Sequence, residues 1–383
     1  MMIPSHAPSE RRWRDHKKHL WMMGLVIPLL PFSAAAMTGV VGDIAWWTGP
    51  IVIMFLLPLI DLVIGGDTSN PPDWAVDQLD SSRWYRWLVW AYIPLQYAGL
   101  VYACHVVTTK NMSWIDLVGY ALTVGVVGGV GINTAHELGH KKEKTERWMS
   151  RLALAQSGYG HFYVEHNRGH HLRVATPEDP ASSRLGESFW AFLPRTVVGS
   201  FASAWEIESR RLTSRGHRVI SHRNEVLIGL SMTAALFAGL TITFGIVVMP
   251  FLFIQAVAGF WLLEVVNYIE HYGLLRQTTP TGRYERCQPE HSWNANHRVS
   301  NLFLYQLQRH SDHHAHPTRR YQTLRHFEEA PQLPSGYAGM LVLACVPPLW
   351  RRVMDPKVAA HYDGDLTKAN IHPNYEWPRA TGG

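Results

Sequence analysis

Three short stretches of this 383-residue chain concentrate side chains able to bind metal. They read His136-Glu137-Leu138-Gly139-His140, Glu165-His166-Asn167-Arg168-Gly169-His170-His171 and His310-Ser311-Asp312-His313-His314. On a helix, residues i, i+3 and i+4 share a face. The spacing therefore predicts that each stretch aims two or three imidazoles at a single point. Neutral imidazole is a good ligand for iron, zinc and copper, so histidine alone does not choose the metal. A ninth candidate, His271, lies in Asn267-Tyr268-Ile269-Glu270-His271-Tyr272-Gly273, at the end of an apolar segment. Nine imidazoles are too many for one ion that keeps an open position, and the count implies two ions. Glu137, Glu165, Glu270 and Asp312 each stand near a candidate ligand, and Asp179 is a further candidate; all five are read as groups that orient ring N–H bonds. His161, His217, His222, His291, His297 and His316 are read as non-ligands, and His105 as a packing residue.

Other chemistries account for less of this pattern. His136-Glu137-x-x-His140 also fits the zinc-peptidase signature in which the glutamate is the general base. That reading needs one more ligand, for which Asp61 is available, and it leaves seven clustered histidines without a role. Soluble di-iron carboxylate bundles use two Glu-x-x-His motifs, and this chain has one, Glu137 to His140. A histidine relay in a transporter belongs near the bilayer midplane inside broken helices, whereas these clusters follow the ends of apolar segments.

The elements that must position the clusters are apolar helices. Stretches at about 20–42, 44–65, 84–108, 114–136, 225–248 and 250–270 each approach the roughly 20 residues needed to cross a bilayer. The fold expected is all-α: six transmembrane helices with a cytoplasmic helical cap carrying the histidines. The chain divides into a tail (1–19), four spans (20–136), a histidine-bearing and interfacial segment (137–224), two spans (225–270) and a histidine-bearing region (271–383). Arg11, Arg12, Arg14, Lys17 and Lys18 precede the first span, and the external loops near 43, 109–113 and 249 contain only Lys110. Positive charge favours the cytoplasm, so the amino terminus is expected there. Spans four and six then end on that face at His136 and His271, and all clusters meet on one side of the membrane. Ala34-Ala35-Ala36 resembles a leader cleavage site, but the five spans that follow argue for a retained helix.

Gly125-x-x-x-Gly129 predicts close helix packing. Pro28, Pro31, Pro58 and Pro94 predict kinks. Residues 186–212 read as a helix lying at the interface, and 336–350 as a surface-attached or re-entrant segment. The net charge of +5 comes without any basic helix interleaved with stacking aromatics, so nucleic acid is excluded. Three cysteines without C-x-x-C spacing form neither a disulfide framework nor a thiolate zinc site.

Polytopic proteins with H-x-x-x-H, H-x-x-x-H-H and H-x-x-H-H sets form the membrane di-iron superfamily of fatty-acid desaturases and hydroxylases, and this chain resembles them. The fuller wording, Glu165 to His171, Asn267 to Gly273, His291-Ser292-Trp293-Asn294 and Leu307 to His314, is similar to the bacterial alkane 1-monooxygenase family, from the first span to about residue 330. The resemblance implies two non-haem iron ions, O2 as co-substrate, and ω-hydroxylation of linear, medium-chain alkanes in the bacterial inner membrane. It also implies electrons passed from NAD(P)H through a reductase and rubredoxin. It carries ligand roles onto His136, His140, His166, His170, His171, His271, His310, His313 and His314. A fused rubredoxin needs two C-x-x-C pairs, which this sequence lacks, so the donor is expected to be separate. Superfamily members acting on alkylbenzenes or fatty acyl chains are the alternative. The methylene C–H of an alkane is weaker than the methyl C–H, so terminal selectivity requires a shaped apolar tunnel; Phe55 and Leu56 in span two are its candidate steric stop.

Overall fold

The computed structural model describes residues 13–375. The tail carrying Arg11 and Arg12 lies outside the described residues. Among the described residues there is no β-strand, only isolated bridges such as Asn294 with Gln332. Four helical stretches are long and apolar enough to cross a membrane: Leu20–Ile64, Trp114–Gly139, Glu225–Phe244 and Ile246–His271.

The first two expected spans are one continuous stretch, α1 (Leu20–Ile64). It bends at Gly42, whose φ of +71° is a left-handed conformation that glycine takes without strain. Its two arms return to the same end of the molecule. Gly24 on the first arm lies against the Tyr305 ring, and Asp61 on the second accepts hydrogen bonds from the Ser300 backbone N–H (3.0 Å) and hydroxyl (2.5 Å). Near the bend, Gly49 packs instead on Thr123, far along the bundle from the histidines. Val52–Leu56 in the second arm is a π-helical turn. It precedes Pro58, which has no N–H with which to close an α turn.

The stretch expected as a third span forms α2 (Arg83–Thr109). It is not among the four stretches long and apolar enough to cross a membrane, because Arg83, Arg86, Gln96 and His105 dilute it. Next, α3 (Trp114–Gly139) opens with a reciprocal cap. The Asp116 N–H donates to the Ser113 hydroxyl at 3.2 Å, and the Ser113 N–H donates to the Asp116 carboxylate at 3.1 Å. Then come α4 (Lys144–Ala155), a helical segment over 162–173, and α5 (Phe189–Thr213). The expected interfacial stretch is this α5, half-buried through Phe189 and Phe192 with Trp190 exposed.

α6 (Glu225–Phe244) begins at an Asn224 cap and ends at Gly245, φ +85°. The connection expected near 249 therefore falls at 245. Met249-Pro250 instead starts α7 (Met249–His271), where a first-turn proline is tolerated because its missing N–H has no helical partner anyway. α3 and α7 form the centre of the bundle. A Cβ on Gly125 would lie 2.4 Å from that of Ala258, and one on Gly129 would lie 2.7 Å from Leu262. The glycine pair thus permits the close approach read from the sequence. Beyond α7 lie the short α8 (His310–Ala315), α9 (Tyr337–Ala344) and α10 (Pro347–His361).

Candidate metal centre

Each histidine stands on a helix end or a short helix near the end of α3 or α7. His136 and His140 are one turn apart where α3 finishes, and His271 is the last residue of α7. All nine candidates converge, but as two groups rather than by motif. His136, His140, His166, His171 and His313 form one; His170, His271, His310 and His314 form the other. Within each group one ligand atom per ring lies within 4.8 Å of every other.

The second and third motifs are therefore divided between the groups, which departs from the expectation of one point per motif. Local geometry explains the division. His166–His170 is a π-helical turn. Its hydrogen bonds run from i to i+5, which brings His166 level with His171, their Nε2 atoms 3.0 Å apart, and sends His170 elsewhere. In α8 the i, i+4 pair His310 and His314 meets at 2.8 Å in one group, and the intervening His313 points to the other, 3.1 Å from His171.

The chemistry of this donor set suits a metal. Burial pushes the imidazoles of His140, His166, His171, His310, His313 and His314 well below their ordinary pKa, reinforced by repulsion from neighbouring rings. They are neutral near pH 7, and a neutral ring carries only one proton. Nε2 to Nε2 separations such as 3.1 Å for His140 and His166, or 3.3 Å for His170 and His314, leave lone pairs facing one another. The Nε2 atoms of His136 and His271 are buried with no hydrogen-bond partner. A cation at the centre of each group would satisfy all of these atoms together.

The surrounding carboxylates differ from the expectation that all five orient ligand rings. Asp179 alone does so, contacting His170 Nδ1 at 2.9 Å and accepting from the Ser182 hydroxyl at 2.6 Å. Burial would raise its pKa, yet the His170 ring and these hydrogen bonds hold it below the usual carboxylate value. Glu137 pairs with Lys141 (3.0 Å), Glu165 with Arg173 (2.9 Å), and Asp312 with Arg325 (3.0 Å) and His316 (2.9 Å). These three fix backbone segments around the site. Glu270 faces inward, with Oε2 3.1 Å from His310 Nε2. Asp61, the extra ligand required by a zinc peptidase, is held by Ser300 and joins neither group.

An apolar cavity meets both groups. His136 and His166 of the five-histidine group and His310 of the four-histidine group line it, with Leu57, Leu262 and Leu304 among its apolar walls. Neighbours of Phe55 and Leu56, rather than those two residues, line the cavity. Ile53 and Leu57 face the cavity, whereas Phe55 and Leu56 are 68% and 46% exposed on the outside. Asn133, Asn267 and Tyr337 also line the cavity and were missed from sequence. A polar residue such as Asn133 inside an apolar span was the available signal.

Residues 112–344 match the fatty acid desaturase family. The chain is 50% identical over 372 residues to an alkane 1-monooxygenase of Acinetobacter baylyi, covering 96% of this chain and 91% of that one. It is 47% identical over 373 residues to the alkane 1-monooxygenase of Ectopseudomonas oleovorans, covering 97% and 93%. The chain belongs to the alkane 1-monooxygenase family. A more distant match, 28% over 244 residues and 62% of this chain, is the hydroxylase component of a xylene/toluene monooxygenase from Pseudomonas putida. In this chain, then, two histidine groups adjoin an apolar cavity in a bundle that includes four helices long and apolar enough to cross a membrane.

Proposed function

We propose that this chain hydroxylates the terminal methyl of medium-chain linear alkanes, giving 1-alkanols. The observation that carries the reading is the apolar cavity whose inner end is lined by His136, His166 and His310. The balance is one alkane, one O2, two electrons and two protons to one alkanol and one water. Electrons come from NAD(P)H through a reductase and rubredoxin. Two non-haem irons, one in each histidine group, supply the oxygen-activating redox chemistry when bound.

The protein's part is placement. Methyl and methylene differ little in polarity, so selection for the chain end falls to cavity shape. Each CH2 moved out of water contributes about 0.8 kcal/mol, but a substrate already dissolved in lipid gains far less on entry. Affinity is therefore low and length is set by where the cavity narrows. Two amides at its inner end are held in place by hydrogen bonds. Asn133 Nδ2 donates to the Leu304 carbonyl (2.7 Å) and Asn267 Nδ2 to Glu264 (3.1 Å), which fixes the orientation of both amides beside the cavity. Asp179 holds the His170 ring in one orientation.

The two arms of α1, together with α2, α3, α6 and α7, make six crossings of the bacterial inner membrane. The amino terminus and histidine end face the cytoplasm, as the Lys and Arg distribution favours. The likeness to a xylene/toluene hydroxylase component supports alkylbenzenes as the second reading. Purified protein reconstituted with rubredoxin, its reductase and NADH should convert octane and dodecane to 1-alkanols. An alkene product, or turnover of xylene without turnover of alkanes, would overturn the reading.

A further inference from the structure

The π turn at His166–His170 decides how the second motif is shared between the two groups. Such turns are rare inside helices. Here the His171 N–H donates to the His166 carbonyl, five residues back. In an α turn the His170 N–H would take that carbonyl, bringing His166 level with His170 and displacing His171 by one residue's rotation, roughly 100°. Within the turn, Asn167 Nδ2 donates to the Tyr163 carbonyl at 2.7 Å. Gly169 lies against the Glu165 carboxylate, which a Cβ would approach to 2.5 Å. Arg168 is the one exposed residue of the turn, and its side chain leads away from the histidines.

Arg168 ends in an ion network that joins three helices. Its Nη1 donates to Glu208 Oε1 of α5 at 2.6 Å, and its Nη2 to Glu225 Oε1 of α6 at 3.3 Å. The Glu208 side chain is fully buried. Its Oε2 also accepts from the Glu225 backbone N–H at 3.0 Å, and Arg211 donates to both of its oxygens, at 2.7 and 2.6 Å. From α4, Arg151 reaches the other Glu225 oxygen at 3.1 Å. A buried carboxylate depends on its charged partners, and the planar guanidinium fork of Arg168 spans two carboxylates at once. The neighbouring pair Arg210 and Glu206 on α5 is the opposite case: its side chains are 79% and 60% exposed, so it contributes little.

We propose that Arg168 and Glu208 are positioning residues for the metal centre. Their pair, braced by Glu225, holds His166–His170 in its π turn and so assigns His166 and His171 to one group and His170 to the other. Neither residue is one of the nine histidines, and Glu208 lies on a helix that carries none of them. Its effect on the centre passes entirely through Arg168. Once Arg168 is released, the segment is free to close into an α turn, and the four-histidine group then loses His170. The inference rests on the reading that both groups bind iron, and it is independent of the substrate.

The test compares the full chain in lipid nanodiscs with Arg168→Gln, Glu208→Gln, Arg168→Lys and Arg210→Gln. In metal-free protein, Arg168→Gln and Glu208→Gln should speed amide hydrogen exchange several-fold in the peptide spanning 162–173, the mark of a locally released segment. Exchange in α3 and α7, and thermal unfolding, should stay as in the wild type. Loaded with iron, both variants should fall from two toward one iron per chain, and the Mössbauer spectrum of the remaining iron should change. Arg168→Lys, which keeps a positive charge beside Glu208, should recover most of the second iron. Arg210→Gln should match the wild type throughout. Wild-type exchange together with two irons in both Arg168→Gln and Glu208→Gln would overturn the proposal. Iron losses that merely follow an equal fall in thermal stability would overturn it too, since the pair would then hold the fold and not the turn. Wild-type protein that binds fewer than two irons would refute the di-iron reading alone, because the exchange measurement needs no metal.

Discussion

The two histidine groups draw rings from the same short helices, yet their surroundings differ. Every ring of the four-histidine group is buried, and its His170 is held by the buried Asp179. In the five-histidine group His140 and His171 are only half-buried, and the neighbouring Leu172 is 72% exposed. One group is enclosed with no ligand to spare; the other carries a fifth ring and reaches the protein surface. Under the proposed function, the half-buried edge of the five-histidine group is the side open to an electron donor, while the four-histidine group is shielded from solvent. Both groups adjoin the cavity, through His136 and His166 on one side and His310 on the other, so both are within reach of substrate.

The largest effect expected is from His310→Ala. It takes one of only four ligands, so iron should fall from two toward one per chain and alkanol formation to background. His140→Ala leaves four ligands in its group and should retain more iron and more activity. Equal losses in the two variants, by elemental analysis and product assay, would break the comparison. Next in size, Asp179→Asn should lower iron affinity or activity roughly 10–100-fold, the usual effect of losing a group that orients a metal-binding imidazole. Glu165→Gln, whose partner is Arg173 rather than a ligand ring, should lose less.

Ile53→Phe should shift the product profile toward shorter alkanes, whereas Phe55→Ala should leave it unchanged and alter stability by less than about 0.5 kcal/mol, as for exposed positions generally. The smallest effect concerns electron delivery. The exposed Lys142 and Lys144 lie near the half-buried His140 in sequence, which suits an acidic partner. Rubredoxin-dependent turnover should therefore fall a few-fold as salt rises, with iron content constant. A flat salt profile would remove the electrostatic part of the contrast.

The nine histidines were legible because helical spacing and sheer number are local signals. Their partition was not, because it depends on a π turn at His166–His170 and on the way α8 straddles two points; neither leaves a mark in residue spacing. The apolar spans were legible where composition is uniform, as in α3 and α7, and less so in α2, where polar residues dilute the pattern. The Gly42 bend was anticipated as a loop near 43, yet the two arms form a continuous helical stretch. Phe55 and Leu56 were expected to line the cavity, but Ile53 and Leu57, one helical turn apart, are the residues that face it. The orienting carboxylates failed for a different reason. Adjacency in sequence named four, but Arg325 and Arg173 claim two of them and Lys141, one turn along α3, claims Glu137, whereas Asp179, the further candidate, contacts His170.

Iron-edge anomalous scattering from the purified protein tests the central claim most directly. Two iron peaks are predicted, one inside His136, His140, His166, His171 and His313, and one inside His170, His271, His310 and His314. A single peak, a peak shared between the groups, or zinc without iron would contradict it.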